Sequence, residues 1–218
     1  MILTMRIEKI TQSKQPQVVF LCFDDETKLR VRASVVMDYG LYPGMELDEA
    51  QLADLTAGAK KASARARAVR MISAAATTEA ALERKLVQKG EAAADARQAV
   101  QWLKDLHLLD DAQVARQLAE AAARKGYGPA RLRQILYEKQ VPRQYWDEAL
   151  ALLPDMSGAL DAFLQKRFAG CQPDRKERDR AVQALLRRGH RWDDVRAALD
   201  RYCASCGEQL EENEDYEL

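Results

Sequence analysis

Apolar and polar residues alternate with a period of two near the start of the chain and with a helical period afterwards. Met5-Arg-Ile-Glu-Lys-Ile10 alternates, Val18–Phe23 is a β-rich apolar run, and Lys28-Leu-Arg-Val-Arg32 alternates strictly after the turn residues Asp24-Asp-Glu-Thr27. That pattern predicts a hairpin with one apolar face. Ser34 is placed to cap a short helix that Gly40 ends in the left-handed conformation. Pro43-Gly44 reads as a turn, and Asp48-Glu-Ala-Gln51 as a variant capping box opening the next helix.

From about residue 50 onward only helical punctuation recurs. Thr77 and Thr78 start a helix through Glu79–Lys89 that Gly90 closes. Ala92–Leu106 follows, with Val100, Leu103 and Leu106 on one stripe beside Trp102. Asp110-Asp-Ala-Gln113 opens a helix with Val114, Leu118 and Ala122 at helical spacing. Gly126-Tyr-Gly-Pro129 breaks it and begins another, since proline is tolerated in a first turn. Pro142 does the same for Arg143–Leu153, and Pro154-Asp155 breaks again. Asp174-Arg-Lys-Glu177 opens a helix to Arg188, Gly189 closes it, and Trp192–Tyr202 is the last helix.

Three of these segments are copies of one another. Leu82…Leu86 with Lys89-Gly90, Leu132…Leu136 with Lys139-Gln140, and Ala181…Leu185 with Arg188-Gly189 align at reference positions 90, 140 and 189. Each copy reads as a helix, a short helix ending in a basic residue, a tight turn and a closing helix. Apolar positions four apart share one helix face, and the turn position favours glycine because a left-handed residue is cheap there. The expected fold is mainly α: tandem three-helix repeats in an elongated, curved arrangement, preceded by a small N-terminal β-hairpin-containing region. The expected boundaries are 1–58 for the hairpin and short helices, 59–109, 110–154 and 155–203 for the repeats, and 204–218 for an acidic, disordered tail. Such a stack suits wrapping a long partner or lying in a groove, although a repeat can also be no more than a way to build a helical domain.

Charge adds a direction. Lys and Arg number 34, as do Asp and Glu, so the formal net charge is zero. Residues 60–143 nevertheless carry net +8, residues 1–59 net −3, and the tail 203–218 net −6. A basic middle points to a polyanion or an acidic protein surface, or simply to long helices with solvated Lys and Arg. No stretch reaches the roughly 18 apolar residues that span a bilayer, and the first residues lack the pattern of a secretory signal. The expected compartment is the cytoplasm, with no membrane partner.

Catalytic patterns are missing. There is no Gly-Lys-Ser/Thr phosphate loop, no Gly-x-Gly-x-x-Gly and no Gly-x-Ser-x-Gly. Cys203-Ala-Ser-Cys206 has metal-ligand or redox spacing, but no second Cys-x-x-Cys completes a closed zinc site. Cys22 alternates with apolar neighbours and reads as core. Asp110-Asp111 is explained by capping. The expectation is no enzyme, no metal and no cofactor.

At this point the residues resemble a known family. Ala81-Leu-Glu-Arg-Lys-Leu86 with Lys89-Gly90, then Leu108-Leu-Asp-Asp-Ala-Gln-Val-Ala115, a helix ending Arg124-Lys-Gly126, and Pro129-Ala-Arg-Leu-Arg133 look like the RecX family of recombination regulators. The resemblance covers essentially residues 1–202. Gln140 stands where the family usually has glycine, and the acidic tail lies outside the family pattern. The resemblance implies a non-enzymatic modulator of the RecA recombinase in DNA repair, homologous recombination and the SOS response. It would lie along the RecA–DNA filament, block its extension, and lower ATP hydrolysis and strand exchange.

The contact candidates are basic. Lys60, Lys61, Arg65, Arg67 and Arg70 precede and open the first repeat. Arg84, Lys85 and Lys89 sit on its second helix. Arg124, Lys125, Arg131 and Arg133 flank the Gly126–Pro129 turn. Long cations at helix ends and turns can meet phosphates or an acidic groove, and Arg124 and Lys125 also suit a helix C-terminus. Tyr127, in a glycine-flanked turn, is the exposed aromatic candidate, whereas Trp102 and Trp146 read as core. Three readings follow. One is a monomeric regulator of the RecA filament. Another is a DNA-binding helical-repeat protein without a RecA-specific role, contacting single- or double-stranded DNA. The last is a helical adaptor for another protein.

Overall fold

The computed structural model describes residues 4–214 of the chain. Its contacts divide it into two compact units, residues 1–110 and 111–218. The first unit opens with strands β1 (Met5–Gln12), β2 (Val18–Phe23) and β3 (Lys28–Arg32), then helix α1 (Ala33–Asp38) and a short β4 (Glu46–Leu47). The strands form one antiparallel sheet in the order β3-β2-β1-β4. Ile10 pairs with Leu21, which pairs in turn with Leu29. A bulge between Ile7 and Lys9 shifts the register. Strand β4, which the turn residues Pro43-Gly44 hid in the sequence, pairs Leu47 with Met5. Helix α1 begins straight from β3 without a side-chain cap, so Ser34 is not its cap. The amide of Ala33 donates instead to the Gln17 carbonyl at 2.9 Å. Gly40 ends α1 at φ 60, as expected.

Helix α2 (Glu49–Ala74) starts at a full capping box, with Asp48 and Gln51 each bonded to the other's backbone. It runs unbroken through position 58/59. Its first half buries Leu55 and Ala59 against Ile7, Leu21, Val31 and Val35 of the sheet region. Its second half buries Ala64 and Ala68 against a separate cluster built on Leu82, Leu86 and Leu103. Gly58 lets α2 pass close to Tyr39: a Cβ there would lie 2.3 Å from the tyrosine oxygen, and the ring would have to shift. The Tyr39 hydroxyl donates to the Asp54 carbonyl at 3.2 Å.

Helices α3 (Glu79–Gln88) and α4 (Ala93–Asp105) complete the first helical unit. Thr78 caps α3 through the Ala81 amide. The buried stripe of α4 is Ala96, Ala99, Val100 and Leu103; Leu106, expected on it, is about half exposed.

The second unit holds α5 (Asp111–Arg124), α6 (Pro129–Glu138), a 3₁₀ turn at Arg143–Tyr145, and α7 (Trp146–Ala151). The segment after Pro142 therefore tightens before it becomes α-helical. Helix α5 buries Ala115, Ala119 and Ala122. Val114 and Leu118, expected on the stripe with Ala122, flank it and are half-buried. Helices α8 (Ser157–Phe168), α9 (Arg175–Arg187) and α10 (Trp192–Glu214) follow. Asp174 and Glu177 form a second full capping box on α9. The last helix is expected to end at Tyr202; α10 runs on to Glu214, and residues 215–218 of the expected tail lie outside those described.

The repeat is visible as one recurring turn. After α3, the Glu91 amide donates to the Leu86 carbonyl at 3.1 Å and Gly90 to Val87 at 2.9 Å. After α6, Val141 donates to Leu136 and Gln140 to Tyr137, both at 2.9 Å. After α9, His190 donates to Leu185 at 3.3 Å and Gly189 to Leu186 at 2.9 Å. Each pair closes a Schellman cap around a left-handed residue, at φ 92, 56 and 85 respectively. Gln140 thus adopts the glycine conformation.

Candidate partner-binding surface

The basic run on α2 divides by side-chain direction. Arg67 Nε donates to Glu91 Oε1 at 2.7 Å, and the Ser63 hydroxyl donates to the same oxygen at 3.2 Å. Glu91 is largely buried and Arg67 half-buried. Arg67 is therefore a structural pin between α2 and the α3–α4 turn. Arg65 lies 5.1 Å above the Trp102 ring, a cation–π pair that uses the exposed side of a half-buried indole. Lys61 and Arg65 line a cleft of ≈ 420 Å³ with Arg32, Tyr39 and Trp102. Arg67 and Arg70 line a neighbouring cleft of ≈ 660 Å³. Lys60 is exposed.

On α3 the charges split in another way. Glu79 pairs with Lys104 and Glu83 with Arg97, each at 3.1 Å, fastening α3 to α4. Arg84, Lys85 and Lys89 are exposed and make no ion pair among the described residues. Val87, 43% exposed, lies among them. This is a basic helix face with one apolar residue on it.

In the second unit, Tyr127 differs from its sequence reading. It is half-buried against the core around Leu132 and Leu136. Lys125 and Arg131 lie over its ring at 6.0 and 5.9 Å. It is a platform for two cations rather than a free aromatic. Arg131 also donates to Gln134 at 2.6 Å. Arg124 pairs with Glu120 at 3.8 Å, with both side chains mostly in solvent, and such a pair adds little. Arg133 is exposed.

The Gly126–Pro129 turn is locked to the turn after α9. The Gly128 amide donates to the Arg188 carbonyl at 2.9 Å, and Ala130 donates to the Gly189 carbonyl at 3.1 Å. His190 Nε2 hydrogen-bonds the Gly126 carbonyl at 3.0 Å, which sets the Nε2–H tautomer. Burial lowers the His190 pKa against that bond. Arg188 lies 5.1 Å from the Phe163 ring. The basic residues around Tyr127 are thus mounted on backbone-to-backbone contacts.

Trp146 donates its indole N–H to the Val141 carbonyl at 2.9 Å, which fits its core reading, and Arg143 covers its ring at 5.1 Å. Two basic groups went unremarked in the sequence. Arg167, Lys176, Arg180 and Arg187 line a groove of ≈ 390 Å³ between α8 and α9, with Asp179 among them. Arg30 and Arg32 sit on edge strand β3, and their signal was the strict alternation Lys28-x-Arg30-x-Arg32. Among the described residues, no three His, Cys, Asp or Glu side chains converge as metal ligands, and no helix is long and apolar enough to cross a membrane.

Comparison with known proteins places this architecture. Residues 110–150 match the family model described as RecX, second three-helix domain. The chain is 33% identical over 141 residues to regulatory protein RecX of Trichlorobacter lovleyi, spanning 62% of this chain and 92% of that protein. It is 32% identical over 144 residues to regulatory protein RecX of Halorhodospira halophila, spanning 65% and 89%. A crystal structure of regulatory protein RecX shares the fold at TM-score 0.64 and 24% identity, over 90% of this chain and 99% of that one. With the sheet region, the recurring Schellman turns and these alignments together, the chain belongs to the RecX family of regulatory proteins.

Proposed function

We propose that this chain is a non-enzymatic regulator that binds the RecA nucleoprotein filament and inhibits its extension, ATP hydrolysis and strand exchange. The observation that carries the reading is the alignment along nearly the whole of a regulatory protein RecX. The surface supports it in kind. A modulator of a protein–DNA polymer needs exposed cations on rigid elements, and Arg84, Lys85 and Lys89 on α3 supply such a face. Lys60, Lys61, Arg65 and Arg70 on α2, and Lys125, Arg131 and Arg133 around Tyr127, extend the set of contacts. Arg67 acts through Glu91 and is a positioning residue. The protein would work as a monomer in the cytoplasm.

The test is single-stranded-DNA-dependent ATP hydrolysis by the cognate RecA, titrated with this protein while DNA is in excess. Inhibition well below one molecule per RecA protomer supports the reading, because competition for DNA needs far more protein. No inhibition at equimolar amounts overturns it. Replacing Arg84, Lys85 and Lys89 together by Gln is expected to weaken inhibition about ten-fold or more, in line with the loss of several charge contacts.

A further inference from the structure

The ≈ 660 Å³ cleft of the first unit is rich in arginine. It lies between the β1–β2 turn, edge strand β3 and helix α2, and four arginines line it: Arg30, Arg32, Arg67 and Arg70. No carboxylate is in its lining. Arg67 is already neutralised by Glu91. The other three make no ion pair among the described residues. Two of them are nonetheless held in place. Arg30 donates to the Gln15 side-chain carbonyl, and Arg32 donates to that of Gln17 at 2.7 Å. An amide orients a guanidinium without cancelling its charge, so these bonds fix the forks and leave the field intact. The turn carrying both glutamines is itself anchored: Gln17 adopts φ 59, and its carbonyl accepts from Ala33.

Like charges crowded into a concave site repel one another, and an anion in the cleft relieves that repulsion. Guanidinium forks match phosphate oxygens in bidentate geometry. No aromatic side chain lines the cleft, so bases would have nothing to stack on, and only a sequence-independent backbone contact is served. A phosphodiester backbone carries its charge on every unit and needs no side-chain pockets, which an acidic peptide would. We propose that the cleft between β3 and α2 binds the phosphodiester backbone of nucleic acid through Arg30, Arg32 and Arg70. This goes beyond the filament reading, and it is tested without the recombinase, so either can fail alone.

The experiment measures anisotropy of a fluorescein-labelled oligothymidylate against the full chain over a salt series. The Arg30→Gln/Arg32→Gln/Arg70→Gln variant is compared with the charge-matched Arg167→Gln/Lys176→Gln/Arg187→Gln variant of the α8–α9 groove, both checked for native circular dichroism. The cleft variant is expected to lose ten-fold or more in affinity, and its slope of log K against log salt to fall by about 2, at ~0.7 per phosphate contact on a single strand. The α8–α9 groove variant is expected to change neither by a comparable amount. Equal losses in both variants would mean a diffuse field and overturn the proposal. So would absence of wild-type binding at low salt, or displacement of the oligonucleotide by polyglutamate as readily as by inorganic polyphosphate. If the cleft variant does not fold, phenylglyoxal modification of the wild type decides. Oligonucleotide is expected to protect Arg70, and unprotected Arg70 overturns the assignment.

Discussion

Gly128 and Gly189 face each other backbone to backbone, with no room for a side chain on either. A Cβ on Gly128 would lie 2.3 Å from the Gly189 carbonyl oxygen, and a Cβ on Gly189 would lie 2.2 Å from the Arg131 amide nitrogen. Gly189 also has φ 85. Both neighbours are backbone and cannot rotate away. Gly128→Ala and Gly189→Ala are each expected to destabilise the second unit by on the order of 2 kcal/mol or more. Urea denaturation of each variant checks this. Gly158, with nothing within 4 Å of its would-be Cβ, is the control, and its replacement by Ala is expected to be tolerated.

His190 makes the same junction sensitive to acid. Burial lowers its pKa below the ordinary 6.5, so the folded chain holds the neutral ring more tightly than the unfolded chain does. The stabilising contribution is complete above the unfolded value. It is lost as pH falls through 6.5 toward the lowered folded value. Thermal melts from pH 7.5 down to pH 5, a range of about 2.5 units chosen to bracket imidazole titration, are expected to fall more steeply for the wild type than for His190→Gln.

Much of the fold was legible because it is written in residues whose local chemistry admits one reading. Asp48-x-x-Gln51 and Asp174-x-x-Glu177 predicted capping boxes, and both are complete. The apolar pairs Leu82/Leu86 and Leu132/Leu136 predicted a buried face, and all four side chains are fully buried. What stayed hidden depends on partners distant in sequence. Strand β4 has only two residues and exists because Met5 offers it an edge. The Arg67–Glu91 pair joins residues 24 apart, so Arg67 looked as free as Arg70. Tyr127 looked exposed because its turn did, and the core beneath it belongs to other helices. The cleft on β3 and α2 brings together Arg30 and Arg32 with Arg67 and Arg70, which lie on opposite sides of the boundary expected at 58/59.

Gln140 is a point of strain that a single change can relieve. It holds φ 56, and its side-chain oxygen is buried without a hydrogen-bond partner. The equivalent residues of the other two copies are Gly90 and Gly189. Gln140→Gly removes both penalties and is expected to stabilise the second unit by about 1 kcal/mol. A rise of ~2–4 °C in Tm by calorimetry is the corresponding readout.

Arg67 and its neighbours on α2 should separate by phenotype. Removing Glu91 leaves a half-buried guanidinium without its acceptor, so Glu91→Ala is expected to cost about 1.5–3 kcal/mol of stability. Arg70→Gln, which breaks no ion pair among the described residues, is expected to leave the melting midpoint within the scatter of surface substitutions, about 0.5 kcal/mol. Guanidinium chloride titrations of both variants give the comparison.

Helix α2 belongs to two cores at once, with Leu55 and Ala59 in one and Ala64 and Ala68 in the other. That makes its length a matter of phase. One residue inserted between Ala59 and Ala64 would turn everything downstream by about 100° and advance it by ~1.5 Å. Either the sheet or the first helical unit would then lose its apolar stripe, and Lys61, Arg65 and Arg70 would point away from the clefts they now line. A flexible surface loop lengthens at small entropic cost, but α2 is a gauge that admits no extra tooth.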